Sequence, residues 1–184
     1  MTDLPFPLTG STLIVGVSGA GKTTATAQAL AEWLGDHDPC ETVVFEFGPE
    51  LERNDRVIGG RLDRFTQIPD DVWTATVDAN APRSQGQTAA EVRALARENA
   101  AQANRWLDAA PPDPQAVFIN DATIAFQHEV GELTRFLEYC DGADCVVVNA
   151  YEGDEFGSND AVSRRERKAL QRLRTWADRA VELD

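Results

Sequence analysis

The octapeptide Gly16-Val17-Ser18-Gly19-Ala20-Gly21-Lys22-Thr23 satisfies G-x-x-x-x-G-K-[ST] at every fixed position and directly follows Thr12-Leu13-Ile14-Val15, a short β-branched run. The pattern constrains the fold tightly, because it demands a buried strand, a tight glycine turn and a helix in immediate succession. Glycines let the backbone approach phosphate oxygens, so that successive N–H groups and the start of the following helix point at negative charge. The spacing therefore predicts a nucleoside triphosphate site, taken as ATP with Mg²⁺. Its binding residues are Gly16, Ser18, Gly19, Ala20, Gly21, Lys22, Thr23 and Thr24. In this reading Lys22 reaches the β- and γ-phosphates, the Thr23 hydroxyl serves Mg²⁺, and Thr24 contacts an α-phosphate oxygen.

Beyond the loop, the chain alternates between helical and extended patterns. Ala27, Leu30, Ala31 and Leu34 recur at helical spacing, with Gly35 where that helix is expected to end. Thr42 to Phe47 reads as a second strand, followed by a polar stretch from Glu50 to Pro69 that carries Arg53, Arg56, Arg61 and Arg64. Val72 to Val77 reads as a third strand, Asp78 to Gly86 as a loop, and Thr88 to Asp108 as a helix with Val92, Leu95, Ala96, Ala103, Trp106 and Leu107 on one face. Ala116-Val117-Phe118-Ile119 is the continuous apolar run of a central parallel strand and ends in Asn120-Asp121. One helix is expected next, with Phe126, Val130, Leu133, Leu137 and Cys140 inward. Cys145 to Val148 forms a strand closed by Asn149. The loop Tyr151 to Asp160, a helix from Val162 to Trp176 and a strand Arg179 to Leu183 complete the pattern.

Strands alternating with helices imply an α/β fold, with a mostly parallel sheet covered on both faces, in one domain spanning residues 1–184. Ligands of such sheets bind at the carboxyl ends of the strands. That rule gathers the phosphate loop, Glu46, Asp78, Asn120, Asp121 and Asn149 on one edge.

Composition narrows the setting. No run approaches the roughly 20 apolar residues of a membrane span, and Met1-Thr2-Asp3-Leu4-Pro5 lacks the basic start of a signal peptide, so an intracellular protein is expected. Cys40, Cys140 and Cys145 lack C-x-x-C spacing and read as small buried hydrophobes, while His37 and His128 read as ordinary surface or helix residues without metal-ligand company. Acidic residues number 31 against 17 basic, a net charge of −14, and only Lys22 and Lys168 among the basic residues are lysine. Such a balance suits molar salt, where the Debye length falls to about 3 Å and self-repulsion is screened. An arginine-preferring genome is the alternative origin of the same bias.

The class of nucleotide protein depends on a second acidic motif, Val117-Phe118-Ile119-Asn120-Asp121, about a hundred positions after Lys22 with two strands between. This arrangement resembles RecA-like, additional-strand ATPases, in which the acidic strand lies beside the phosphate-loop strand in space and ends in two acids. The resemblance implies a three-layer P-loop NTPase with a RecA-like central sheet. Here the first of the two positions is Asn120 and the second Asp121. Asp121 is accordingly assigned the carboxylate that polarises water toward the γ-phosphate, and Asn120 a weaker role near Mg²⁺. A register shifted by one residue remains open, with Asp121 as the Mg²⁺-side acid. Asn149 resembles the sensor amide of these ATPases.

Phosphate loop, acid-ended strand (Phe45-Glu46-Phe47-Gly48-Pro49-Glu50), acidic strand, amide-ended strand and terminal strand together resemble the FtsK/HerA superfamily. The compact form is similar to genome-packaging ATPases of membrane-containing icosahedral viruses, including those of haloarchaea. The resemblance implies a homo-oligomeric ring that moves double-stranded DNA, a capsid or portal partner, and a location in the host cytoplasm or the virion. Arg164, Arg165, Arg167, Lys168, Arg172 and Arg174 lie on the last helix. They are read either as DNA or neighbour-site contacts or as a solvated face balancing Asp154, Glu155 and Asp160. A small-molecule or nucleotide kinase and a nucleotide-dependent switch or adaptor remain rival readings. A GTPase using N-K-x-D is excluded by the two lysine positions.

Overall fold

A computed structural model describes residues 4–53, 56–58 and 60–184; between 51 and 58 only the backbone is described. The elements are β1 (Gly10–Gly16), α1 (Lys22–Asp36), β2 (Thr42–Glu46), β3 (Leu51–Arg53), β4 (Arg56–Ile58), β5 (Trp73–Thr76), α2 (Pro82–Gln85), α3 (Ala89–Ala109), β6 (Ala116–Asn120), α4 (Leu133–Cys140), β7 (Cys145–Tyr151), α5 (Ala161–Trp176) and β8 (Arg179–Leu183). Six strands form one sheet in the order β5-β2-β6-β7-β1-β8, and every pairing in it is parallel. This is the expected three-layer α/β architecture with a RecA-like parallel sheet.

Continuous apolar strands work here because both faces of the sheet are covered. Alternate residues of each strand enter two separate cores. Leu13, Val15, Val43, Phe45, Val117, Ile119, Val146 and Val148 pack with residues of α3, α4 and α5. Ile14, Val44, Phe118 and Val147 face Ala27, Leu30 and Trp33 of α1. This two-residue alternation carries through to the strand ends. The side chains of Glu46, Asn120 and Asn149 therefore emerge on the α1 face, directly below the phosphate loop.

Several expectations are corrected. β7 lies between β1 and β6, so the acidic strand does not touch the phosphate-loop strand. The hydrogen bonding of β7 runs on to Tyr151, which makes Asn149 an interior strand residue. The helix expected after Asp121 is two pieces, a 3-10 segment Ala122–Phe126 and then α4. The break contains Gly131, where a Cβ would fall 2.5 Å from the Ala125 carbonyl oxygen, so only glycine lets the chain fold back there. Gly35 does not end α1, which continues to Asp36. The polar stretch after Glu50 contains the antiparallel pair β3–β4 and a 3-10 turn Leu62–Arg64, and the loop after Asp78 contains α2. Residues 1–3 and the side chains of Arg53 and Arg56 lie outside the described residues.

Of the three cysteines, Cys140 and Cys145 are buried but Cys40 is exposed. His128, expected as an ordinary surface or helix residue, is buried in a bend, and its Nδ1 accepts the Val130 N–H. The exposed His37 stacks on Trp33 at 3.5 Å. No helix among the described residues is long and apolar enough to cross a membrane.

Candidate functional site

The phosphate loop joins β1 to α1 through two left-handed glycines, Gly19 at φ 81° and Gly21 at φ 88°. A side chain at either position would meet open space, so backbone conformation alone selects glycine there. Gly16 has a different cause. A Cβ on it would fall 2.3 Å from the Leu183 carbonyl oxygen, so it is the passage of β8 that requires glycine. No side chain caps the start of α1, which leaves its first N–H groups without a capping partner. Lys22 is buried and folds back so that its Nζ donates to the Val17 carbonyl at 2.6 Å. Burial lowers its pKa, against the attraction of Asp121 and Glu155.

Beneath the loop, the ends of β2 and β6, Asn149 within β7 and the first turns of α1 share one hydrogen-bond network. The pairing register sets Glu46 opposite Asn120. Asn120 donates through Nδ2 to Glu46 Oε2 at 2.9 Å and to the Gly60 carbonyl at 2.7 Å. Its Oδ1 accepts from Thr23 Oγ1 at 3.2 Å and from Asn149 Nδ2 at 2.9 Å. Both amide hydrogens and both lone pairs are thus used, which fixes the orientation of the amide. Asn149 Nδ2 also donates to Thr26 Oγ1, and Asn149 Oδ1 accepts the Asp121 N–H at 2.8 Å. Asn120 and Asn149 are fully buried. Their contacts toward the cavity run through Thr23 and the Asp121 N–H, and neither side chain lines the cavity itself.

Glu46 completes the network. Its Oε1 accepts the Leu62 N–H at 2.6 Å, and it is 2% exposed. Burial pushes its pKa up to about 7, even though its hydrogen bonds from Leu62 and Asn120 favour the ionised form.

Asp121 follows β6 in the left-handed region, at φ 53°. That conformation is uncommon for a residue with a side chain and cheapest for Asp and Asn. It turns the carboxyl over the sheet edge and onto Gly48, where a Cβ would lie 2.3 Å from Asp121 Oδ2. Burial raises the Asp121 pKa to about 6, with Lys22 opposing and Glu166 adding to the shift.

A cavity of about 660 Å³ opens above this edge. Ser18, Gly19, Gly21, Lys22, Thr23, Thr24 and Asp121 line it, whereas Asp78 is exposed and hydrogen-bonds to Gln102. The Thr23 hydroxyl and the Asp121 carboxylate are hard oxygen donors. This set fits Mg²⁺, which keeps several waters and shares its shell with phosphate oxygens. Among the described residues no group of three or more His, Cys, Asp or Glu side chains could hold a metal by itself.

Sequence reasoning misses the far wall of the cavity. Arg83 of α2 pairs with Glu166 of α5 at 2.6 Å, donates to Ser163 Oγ at 2.8 Å and lies 5.5 Å from the Phe156 ring centroid. Glu166 also accepts from Thr123 and from Gln127 Nε2, and Gln127 Oε1 is buried without a partner. Glu166 is legible in one respect. It lies on the same stripe as Val162, Ala169, Leu170 and Leu173, so a carboxylate is due to enter the core. Nothing in the composition of the Asp78 to Gly86 segment marks Arg83.

In the basic cluster of α5, Arg164, Arg165, Arg167, Lys168 and Arg172 are exposed and Arg174 is half-buried. Arg165 approaches Glu129 at 3.5 Å, Arg174 reaches Glu152 and Glu182, and Arg164 and Arg167 hydrogen-bond to the carbonyls of Asn159 and Ser158. No protein-family model matches the chain, and no curated protein matches it.

Proposed function

We propose that this chain is a Mg²⁺-dependent nucleoside triphosphatase, and that it uses ATP hydrolysis as a motor of the FtsK/HerA kind to move double-stranded DNA. The single observation that carries the catalytic part is the convergence of Lys22, Thr23 and Asp121 on one cavity wall. In this reading the loop amides and the α1 N-terminus hold the phosphates, and Lys22 exchanges the Val17 carbonyl for phosphate oxygens. The bound cation would be held by the Thr23 hydroxyl and by phosphate oxygens, with Asp121 beside it through water, and would neutralise charge on the β- and γ-phosphates. Asp121, ionised above about pH 6, accepts a proton from the attacking water or orients it. Asn149 positions Asp121 through its backbone N–H and does not itself touch phosphate.

The motor assignment rests on the order of elements and on the FtsK/HerA resemblance. It carries with it a homo-oligomeric ring, a capsid or portal partner, and work in a host cytoplasm or virion. A kinase reading is favoured by one specific feature: the cavity continues past the phosphate loop to Arg83, Gln127 and Tyr151, leaving room for a second ligand. ATP turnover in molar KCl, with and without double-stranded DNA and with a panel of nucleoside monophosphates, separates the two. Stimulation by DNA is the expected result. Phosphate transfer to a monophosphate without DNA dependence establishes the kinase instead, and a response to neither leaves a switch or adaptor.

A further inference from the structure

The acidic motif at the end of β6 lacks its first acid, and an aspartate at position 120 would be a poor fit. One carboxylate oxygen would face Glu46 Oε2 and the Gly60 carbonyl, the two acceptors that Asn120 Nδ2 now satisfies at 2.9 and 2.7 Å. Two buried carboxylates at that separation cannot both stay ionised at low cost. A second carboxyl group is nevertheless present one strand away, at the end of β2 opposite Asn120.

We propose that Glu46, on β2, is the missing acid of the motif, and that the Asn120 amide carries its influence to the Thr23 hydroxyl, where the cation of a Mg²⁺–nucleotide complex is held. The path is continuous: Glu46 Oε2 accepts from Asn120 Nδ2, and Asn120 Oδ1 accepts from Thr23 Oγ1. A carboxylate at the amide hydrogens polarises the carbonyl and makes its oxygen a stronger acceptor, the cooperative effect known in hydrogen-bonded chains. The stronger acceptor holds the Thr23 hydrogen and turns the hydroxyl lone pairs toward the cavity. Glu46 is fixed in turn by the Leu62 N–H, and Asn120 by the Gly60 carbonyl, so the segment after β4 sets the position of this positioning pair. Glu46 touches neither substrate nor cation. Its effect resembles that of outer partners that orient metal ligands, whose loss costs about 10–100-fold in metal affinity.

This inference rests on the nucleotide reading above, and the test separates the two. Binding of mant-ATP is measured at pH 8 in EDTA and across a Mg²⁺ titration, for wild type, E46Q and E46Q/N120D. In E46Q the Mg²⁺ concentration for half-maximal tight binding is expected to rise about tenfold or more, with metal-free affinity within about twofold of wild type. In the double variant the charge is moved onto position 120 and the amide introduced at position 46 supplies the donor, so the Mg²⁺ midpoint is expected to return to within about threefold of wild type. Its thermal stability is expected to be lower, because the Gly60 carbonyl loses its donor. If E46Q does not fold, the double variant decides alone: a near-normal Mg²⁺ midpoint supports the inference and a lost Mg²⁺ dependence overturns it. An unshifted midpoint in E46Q, or a double variant as impaired as the single, also overturns it while the nucleotide reading stands. No mant-ATP binding by wild type overturns both.

Discussion

At the scale of single residues, the candidate site turns on three side chains held in three different ways. Lys22 is held by the loop it serves, Thr23 by Asn120, and Asp121 by a left-handed backbone and a glycine beneath its carboxyl. Replacing Lys22 with alanine is expected to leave a folded protein with ATP turnover at least about a hundredfold lower, since the charge developing on the phosphates loses its nearest cation. Circular dichroism beside a phosphate-release assay checks it. Asp121→Asn is expected to bind Mg²⁺–ATP within a few-fold of wild type and to hydrolyse it about 10²–10⁴ times more slowly. A collapse of Mg²⁺-dependent affinity instead would make Asp121 the metal-side acid. With a pKa near 6, Asp121 is also expected to give kcat/KM for ATP an acid limb falling below about pH 6, which a pH–rate profile checks. The linkage to stability has a definite sign. The folded pKa is above the ordinary 3.8, so the group's contribution is full below that value and is lost as pH rises to about 6. Asp121→Asn should therefore gain stability over wild type between pH 4 and pH 7, on the order of 1 kcal/mol or more, in denaturant melts.

At the scale of elements, the far wall of the cavity depends on a clamp between α2, a single turn, and α5. The ion pair of Arg83 and Glu166 is well shielded, with side chains 13% and 6% exposed. Breaking such a pair from one side leaves a buried charge and costs about 3–5 kcal/mol, whereas neutral partners of similar shape cost far less. Urea unfolding of R83A should show that loss, and R83Q/E166Q should recover most of it; equal losses in both would mean the pair is not the source. The outer face of α5 is a different case. Arg164, Arg165 and Arg167 are exposed and bond to nearby loop carbonyls and to Glu129, contacts worth about 1 kcal/mol or less. Replacing all three with glutamine should leave the melting temperature nearly unchanged and remove stimulation of turnover by double-stranded DNA. Retained stimulation would make this face a solvated one.

At the scale of the whole molecule, the net charge of −14 acts on every element at once. Most of the acids are on the surface, and the described ion pairs other than Arg83–Glu166 are exposed or partly exposed and worth little each. Self-repulsion is consequently relieved by salt more than attraction is lost. The melting temperature should rise steadily with KCl into the molar range. A flat or falling curve would tie the shortage of lysine to genome composition alone.

The glycine turn between β1 and α1, the strand-to-helix alternation, the buried apolar run of β6 and the terminal strand Arg179–Leu183 are all legible in local sequence. Each is a short-range pattern, a glycine spacing or an apolar period, whose physical cause lies within a few residues. Register is also partly local. Because side chains alternate strictly along a strand, knowing that Ile119 is apolar core already places Asn120 on the opposite face. What tertiary structure alone decided was which strands are neighbours. Inserting β7 between β6 and β1 brings Asn149 beside Asn120, and pairing β2 with β6 brings Glu46 there as well, across 74 positions of sequence. The clamp of Arg83 and Glu166, the purpose of Gly16 under Leu183 and that of Gly48 under Asp121 are of the same kind. Close approach between distant segments is set by how the layers pack, and no local pattern encodes it.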